Sequence, residues 1–157
     1  GGNSHYKDSI NRANDLDQNG IHLLDCGTSG SISGALNGIS ATVGGFKGAF
    51  NYCESLFNSI AAPDGVMYCG KSGNGHFVKM IHCGIEYGMM QAIAEGIELV
   101  NRYNDSIDLA SVIKTWNNGS VIKKVYCSNI FLYISYQIIY ISSLLISAKI
   151  ISKAGTV

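Results

Sequence analysis

Apolar and polar positions change their spacing several times along these 157 residues, and each change marks an element. The first stretch has helical period: Ser4 offers a cap, the helix runs to about Gln18, and Asn19-Gly20 ends it. Residues 21–25 form a short apolar run ahead of Gly-Thr-Ser-Gly, which predicts a buried strand entering a loop. A second strand is expected over 39–43, closed by Gly44-Gly45, then an amphipathic helix from Phe46 to about Ile60. Ala62-Pro63-Asp64-Gly65 spells a turn, and 66–69 a third strand. Strand-like and helix-like segments alternate, which argues for α/β organisation.

Beyond residue 70 the texture changes. A glycine-rich turn over 70–75 leads into a long helical pattern from about His76 to Arg102. Another helix begins at Asp105 or Ser106 and ends near Asn117-Asn118-Gly119. Residues 1–72 therefore read as the end of a sheet domain, 73–122 as the opening of a helical one, and 123–157 as an apolar tail. Between 125 and 148 there is no charged residue, and Lys123, Lys124 and Lys149 flank the run. Its length fits a transmembrane helix. It is crowded with Ile, Tyr and Ser and lacks a clean polar face, whereas a span is usually richer in Leu, Val, Ala and Gly. A buried or mistranslated tail is favoured over a membrane anchor. No internal repeat is visible.

Composition narrows the field. With 46% apolar residues the chain can bury one real core. Formal net charge is zero, so bulk charge points to neither nucleic acid nor an anionic membrane surface. The five cysteines are scattered, without a C-x-x-C pair, and signal neither a disulfide framework nor a zinc ribbon. The expected setting is a reducing cytoplasm. Gly1-Gly2-Asn3 is not an initiator sequence and no signal peptide follows, so the chain is expected to begin in mid-protein.

The densest chemistry lies in "NGHFVKMIHCGIEYG", residues 74–88. On a helix, Lys79, Cys83, Glu86, Tyr87 and Met90 fall at three- and four-residue spacings and share a face. His82 borders that face, one turn from both Lys79 and Glu86. A lysine and a glutamate on one rigid element make an acid–base pair, provided that environment lowers the one pKa and raises the other. The plainer alternative is two solvated surface residues. The apolar neighbours Phe77, Val78, Met80, Ile81 and Ile85 weigh against it. "GKSGNG" matches neither a dinucleotide loop nor a P-loop, and reads as a turn whose glycines admit a ligand or a close backbone. His82 with Glu86, or with His76, offers no third metal ligand at good spacing, so no metal site is expected. Cys83 beside His82 raises a thiol nucleophile, against which stands the usual inert packing of a lone cysteine. Ser29 lacks a G-x-S-x-G setting and suits hydroxyl or oxyanion binding better than nucleophilic attack.

"GGNS", "LDCGTSGSISGALNG", "VGG" and "GNGHFVKMIHCGIEYGMMQAIAEG", in this order, resemble 6-phosphogluconate dehydrogenase, the decarboxylating enzyme of the pentose phosphate pathway. "IDLASVIKTWNNGSVI" looks like the helix and turn that follow in shorter bacterial-type members, so the resemblance covers about residues 1–122. It implies the end of a Rossmann-type domain joined to the start of a helical domain, a 6-phosphogluconate substrate, NADP or NAD as cofactor, and a homo-oligomeric family. Lys79 matches the family's general base and Glu86 the acid that protonates C1 of the enediol. Ser29 and Gly30 match a substrate-binding loop, His82 and the Cys83 position substrate contacts, Tyr87 a phosphate contact, and Asn3 a residue near the nicotinamide.

Two departures bear on chemistry. The family has asparagine where this chain has Cys83, and a thiol is a weaker hydrogen-bonding group. The family loop continues with glycine where this chain has Ser31. The amino-terminal Rossmann half and the later helical domain are expected to be missing, and residues 123–157 to be out of frame or degenerate. The first expectation is thus a dehydrogenase fragment with its two central acid–base residues and little turnover of its own. The alternative is a catalytically inactive truncated remnant or a membrane-tethered one.

Overall fold

A computed structural model describes residues 1–103 and 106–122. The tail from 123 to 157, on which the degenerate and membrane-anchor readings fall, lies outside the described residues. Among those described, no helix is long and apolar enough to cross a membrane.

The elements run α1 (Tyr6–Asp17), β1 (Leu24–Ser29), α2 (Ser31–Asn37), β2 (Ile39–Gly45), α3 (Lys47–Ile60), β3 (Ala61–Gly70), α4 (Asn74–Tyr103) and α5 (Leu109–Asn117). The three strands form one sheet in the order β1-β2-β3. β1 pairs antiparallel with β2, from Leu24 opposite Gly45 to Ser29 opposite Ser40. β2 pairs parallel with β3. The expected α/β organisation is what the chain adopts. It divides into two compact units, residues 1–86 and 87–157.

The core of the first unit is Cys26, Ala41, Val43 and Phe50, with Leu24, Ile39, Phe57, Val66 and Tyr68 packed around it. These come from alternate positions of the strands and from one face of α3, as period-2 and period-3.6 patterns require. Burial of the Cys26 side chain pushes its thiol pKa up, with a smaller opposing pull from the chain's amino-terminal charge.

Several boundaries differ from the sequence expectation. β1 starts later than residue 21 and continues through Gly-Thr-Ser, because β2 offers that segment an antiparallel partner. Ser4 does not cap α1; His5 holds that position and makes no side-chain cap bond. Helix α5 starts at Leu109 rather than at 105 or 106, because Asp108 caps it: its carboxylate accepts from Ala110 N at 3.0 Å and Ser111 Oγ at 2.6 Å. The expected turn at 62–65 is a bulge inside β3, with Asp64 at φ 58° and the pairing register shifted between Ile39 and Ala41. Helix α2 was not expected. Its seven residues, SISGALN, are too few to show a helical period.

What positions the site is the landing of α4 on the sheet. Asp25, in β1 and only 3% exposed, accepts from Gly73 N at 2.6 Å and His76 N at 2.8 Å. A carboxylate thus satisfies two amides at the start of α4, where the helix dipole also favours negative charge. Three glycines let the helix lie directly on the strands. A Cβ on Gly75 would overlap Thr42 O and come within 2.6 Å of Asp25 O. One on Gly27 would overlap Lys79 Cβ, and one on Gly44 would lie 2.6 Å from Asp25 Oδ1. The glycines of the 70–75 turn therefore serve a close backbone approach. Thr42 Oγ1 donates to Gly75 O at 3.0 Å, closing the contact. Helix α1 covers the same turn through Ser9 Oγ, 2.7 Å from His76 Nδ1, and through Tyr6 edge-on to Phe77.

Candidate active site

Lys79 sits one turn beyond the Asp25-anchored start of α4 and is only 8% exposed, with its stem against Gly27. A lysine this buried is uncommon. Its Nζ lies 3.3 Å from His82 Nδ1. The same imidazole nitrogen lies 3.6 Å from Glu86 Oε2. Lys79 and Glu86 therefore point to one side of the helix and meet through His82. Among the described residues no direct ion pair joins them. His82 is exposed and Glu86 half-buried, so the group opens to solvent at one end and into the sheet contact at the other.

The amino-terminal residues are brought to this group by β1. Gly2 N donates to Cys26 O at 2.9 Å and Thr28 N to Gly2 O at 3.1 Å, so the first residues run parallel to β1 as a short extra pairing. Asn3 then falls beside Cys83, whose Sγ is 3.8 Å from Asn3 Oδ1. Residues 80 positions apart in sequence thus share one surface. Ser29 ends β1, two residues past the Gly27–Lys79 contact, and Gly30 follows it as the cap of α2 with φ 133°. Tyr87 is exposed and is the first residue of the second unit.

Spacing alone missed two features. One is Asp25, whose signal was an acid between the apolar neighbours Leu24 and Cys26. The other is a third donor near His82 and Glu86. One ligand atom each from His82, Cys83 and Glu86 lie within 4.8 Å of one another.

A buried Ser9–His76–Asp25 cluster mimics a hydrolase triad in composition only. Ser9 Oγ and Asp25 Oδ2 lie 2.7 and 3.9 Å from the same nitrogen, His76 Nδ1, and Nε2 is buried without a hydrogen-bond partner among the described residues. A triad needs the serine and the acid on opposite ring nitrogens and an exposed nucleophile. The cluster fastens α1, β1 and α4 together.

Comparison with known proteins decides the family. The model for the NAD binding domain of 6-phosphogluconate dehydrogenase matches residues 1–83, and that for the enzyme's C-terminal domain matches residues 75–155. The chain belongs to the 6-phosphogluconate dehydrogenase family. The C-terminal match runs past Ile122, where the resemblance read from motifs ended. Bacillus subtilis YqeC is 50% identical over 122 residues, which are 78% of this chain and 41% of that protein. The NAD(+)-dependent decarboxylating 6-phosphogluconate dehydrogenase of Haloferax volcanii is 48% identical over 124 residues, covering 78% of this chain and 40% of the relative. The solved 6-phosphogluconate dehydrogenase of Plasmodium falciparum superposes with a TM-score of 0.67 at 34% identity, over 76% of this chain and 27% of that one. The chain thus spans well under half the length of these relatives. Its two matched segments meet at residues 75–83, where α4 leaves the sheet and presents Lys79.

Proposed function

We propose that this chain carries the acid–base half of a 6-phosphogluconate dehydrogenase site, with Lys79 as base and Glu86 as acid. The observation that carries the reading is the convergence of both side chains on His82 Nδ1, at 3.3 and 3.6 Å, in a chain that matches both family models.

In this reading Lys79 takes the proton of the substrate 3-hydroxyl as the bond at C3 gives up its hydride. The nicotinamide cofactor, NAD or NADP, supplies the hydride acceptor. The resulting 3-keto acid releases its carboxylate as carbon dioxide, and Lys79 returns its proton to the enediolate oxygen, leaving an enediol. Glu86 then delivers a proton to C1 while the enediol hydroxyl gives its proton back to Lys79, giving ribulose 5-phosphate. Proton removal at the 3-hydroxyl and delivery to the neighbouring carbon need two groups that reach the same end of the sugar. Lys79 and Glu86, both drawn to one His82 nitrogen, are placed to do so. His82, between them, holds both side chains toward the sugar and contacts its hydroxyls. Ser29 and Gly30 at the end of β1, Cys83, and Tyr87 as a phosphate contact complete the substrate side.

For the cofactor, this chain's residues fit one end only. Asn3 stands beside Cys83 as the polar group for the nicotinamide, while the sequence has no G-x-G-x-x-G to cradle a pyrophosphate. These 157 residues alone are therefore expected to bind 6-phosphogluconate but to turn it over far more slowly than an intact relative.

Calorimetric titration of the purified chain with 6-phosphogluconate tests the reading. Saturable binding that weakens at least about tenfold in Lys79→Met, the scale of one charge-assisted contact, is the expected result. Binding indifferent to Lys79→Met and to Glu86→Gln overturns it; nicotinamide reduction at the rate of an intact relative overturns only the expectation of slow turnover.

A further inference from the structure

We propose that His82, Cys83 and Glu86 form a three-donor site for a zinc-class divalent cation, and that its occupation withdraws the imidazole shared by Lys79 and Glu86. The second half of this inference rests on the acid–base reading above; the first does not.

The donor set is mixed. An imidazole nitrogen, a sulfur and a carboxylate oxygen lie within 4.8 Å of one another on a single turn and a half of α4. Tetrahedral zinc with nitrogen, sulfur and oxygen ligands places those atoms roughly 3.3–3.7 Å apart, from bond lengths of roughly 2.0–2.3 Å. The His82 Nδ1 to Glu86 Oε2 distance is already 3.6 Å. Small rotations of the Cys83 and Glu86 side chains close the rest, because all three ride on one rigid backbone segment.

Thiolate and imidazole select zinc, cobalt(II) and copper over magnesium and calcium, which prefer oxygen donors. Binding replaces the Cys83 thiol proton, which leaves to the buffer, and three protein ligands leave a fourth position for water. Asn3 supplies the outer contact. Its side-chain amide lies 3.8 Å from Cys83 Sγ and accepts from the thiol; with its other end turned it donates to a thiolate.

Cys83 is what makes the set. An asparagine at this position, as in the family pattern, removes the thiolate and leaves two donors. The consequence for the sugar chemistry is competition. Lys79 Nζ uses the same His82 nitrogen, at 3.3 Å, that an ion between His82 and Glu86 would take. A bound cation engages Glu86 as a ligand, repels the neighbouring ammonium and breaks the group apart.

Cobalt(II) is the probe, because a tetrahedral site with a thiolate ligand gives intense visible and near-ultraviolet absorption. Titration of the purified full chain is expected to reach one equivalent with such a spectrum, which added zinc abolishes. Cys83→Ala is expected to lose the spectrum, Cys83→Asn likewise, and Asn3→Ala to weaken binding about tenfold or more. Far-ultraviolet circular dichroism of each variant verifies that the fold persists. An identical cobalt spectrum in Cys83→Ala, with the signal coming from another cysteine, overturns the site; so does its absence in the wild type.

A second titration separates the two halves. Zinc is expected to weaken 6-phosphogluconate binding at least tenfold in the wild type and to have no effect on whatever affinity Cys83→Ala retains. Cobalt binding without sugar binding leaves the metal site standing and removes the acid–base reading. Sugar binding unaffected by bound zinc refutes the competition.

Discussion

Asp25 holds the start of α4, and removing its charge is expected to cost more stability than any exposed substitution in the chain. The carboxylate is 3% exposed and accepts two amide hydrogens, from Gly73 N at 2.6 Å and His76 N at 2.8 Å. Hydrogen bonds to a charged group contribute about 1.5–3 kcal/mol each, and a buried donor left unpaired costs about 1–3 kcal/mol. The charge at the helix start adds up to about 2 kcal/mol in partly buried geometries. Against these stands the relief of desolvating a carboxylate, several kcal/mol in an apolar surrounding. Asp25→Ala is expected to lose about 3–5 kcal/mol net, the range for stripping one partner from a buried charged contact. Asp25→Asn keeps one acceptor but turns an NH2 toward the second amide, so about 2–3 kcal/mol is expected. Typical domains hold 5–15 kcal/mol in all, so the alanine variant should be close to unfolding. Urea denaturation followed by circular dichroism measures the loss as a fall in midpoint at constant m. An asparagine variant with an unchanged midpoint refutes the anchoring role. So does an alanine variant no weaker than a surface mutant.

Ser31 begins α2 at φ 52°, where a side chain costs about 1–2 kcal/mol, so Ser31→Gly is expected to raise the urea midpoint by about 1 kcal/mol equivalent; a lowered midpoint contradicts the strain. Gly75→Ala is expected to destabilise by about 1–3 kcal/mol, because its Cβ meets backbone of β1 and β2, whereas Gly84→Ala, with nothing within 4 Å among the described residues, is expected to gain up to about 1 kcal/mol of helix propensity. Hydrogen bonds from the Ser111 side chain and then its amide hold the Asp108 carboxyl below the ordinary carboxylate range. A depressed folded value means that its support of α5 is present above the unfolded pKa, about 3.9, and is lost as pH falls through the folded one. Amide exchange in residues 109–117 is expected to quicken on acidification below pH 4 in the wild type and to lose that dependence in Asp108→Asn.

The elements with strong periodicity are legible in the sequence. Helices α1, α3 and α4 and strand β2 follow their apolar spacing to within two residues of the expected bounds. The shared face of Lys79 and Glu86 was legible for the same reason, since helix geometry fixes which residues meet. What spacing could not show depends on long-range contacts. The extension of β1 through Gly-Thr-Ser needs β2 beside it. The meeting of Asn3 with Cys83 needs the amino terminus to run along β1. The burial of Lys79 needs Gly27 beneath it, a glycine that in sequence reads only as part of a loop. Asp25 was hidden because an acid beside a short apolar run is usually a turn signal, and only the landing of α4 gives it two donors. Helix spacing puts Cys83 on the face of Glu86 and next to His82, but the approach of all three donor atoms to within 4.8 Å depends on their side-chain rotamers.

In the proposed function Lys79 and Glu86 act as a base and an acid on one sugar. Because protonation of the enediol at C1 is reversible, the chain is expected to exchange the C1 hydrogens of ribulose 5-phosphate with deuterium oxide. Proton magnetic resonance of ribulose 5-phosphate incubated with the purified chain reads this directly. Deuterium at C1 is expected, with the rate reduced by about 10²–10⁴ in Glu86→Gln and also lowered in Lys79→Met. Exchange absent in the wild type, or equally fast after Glu86→Gln, contradicts it.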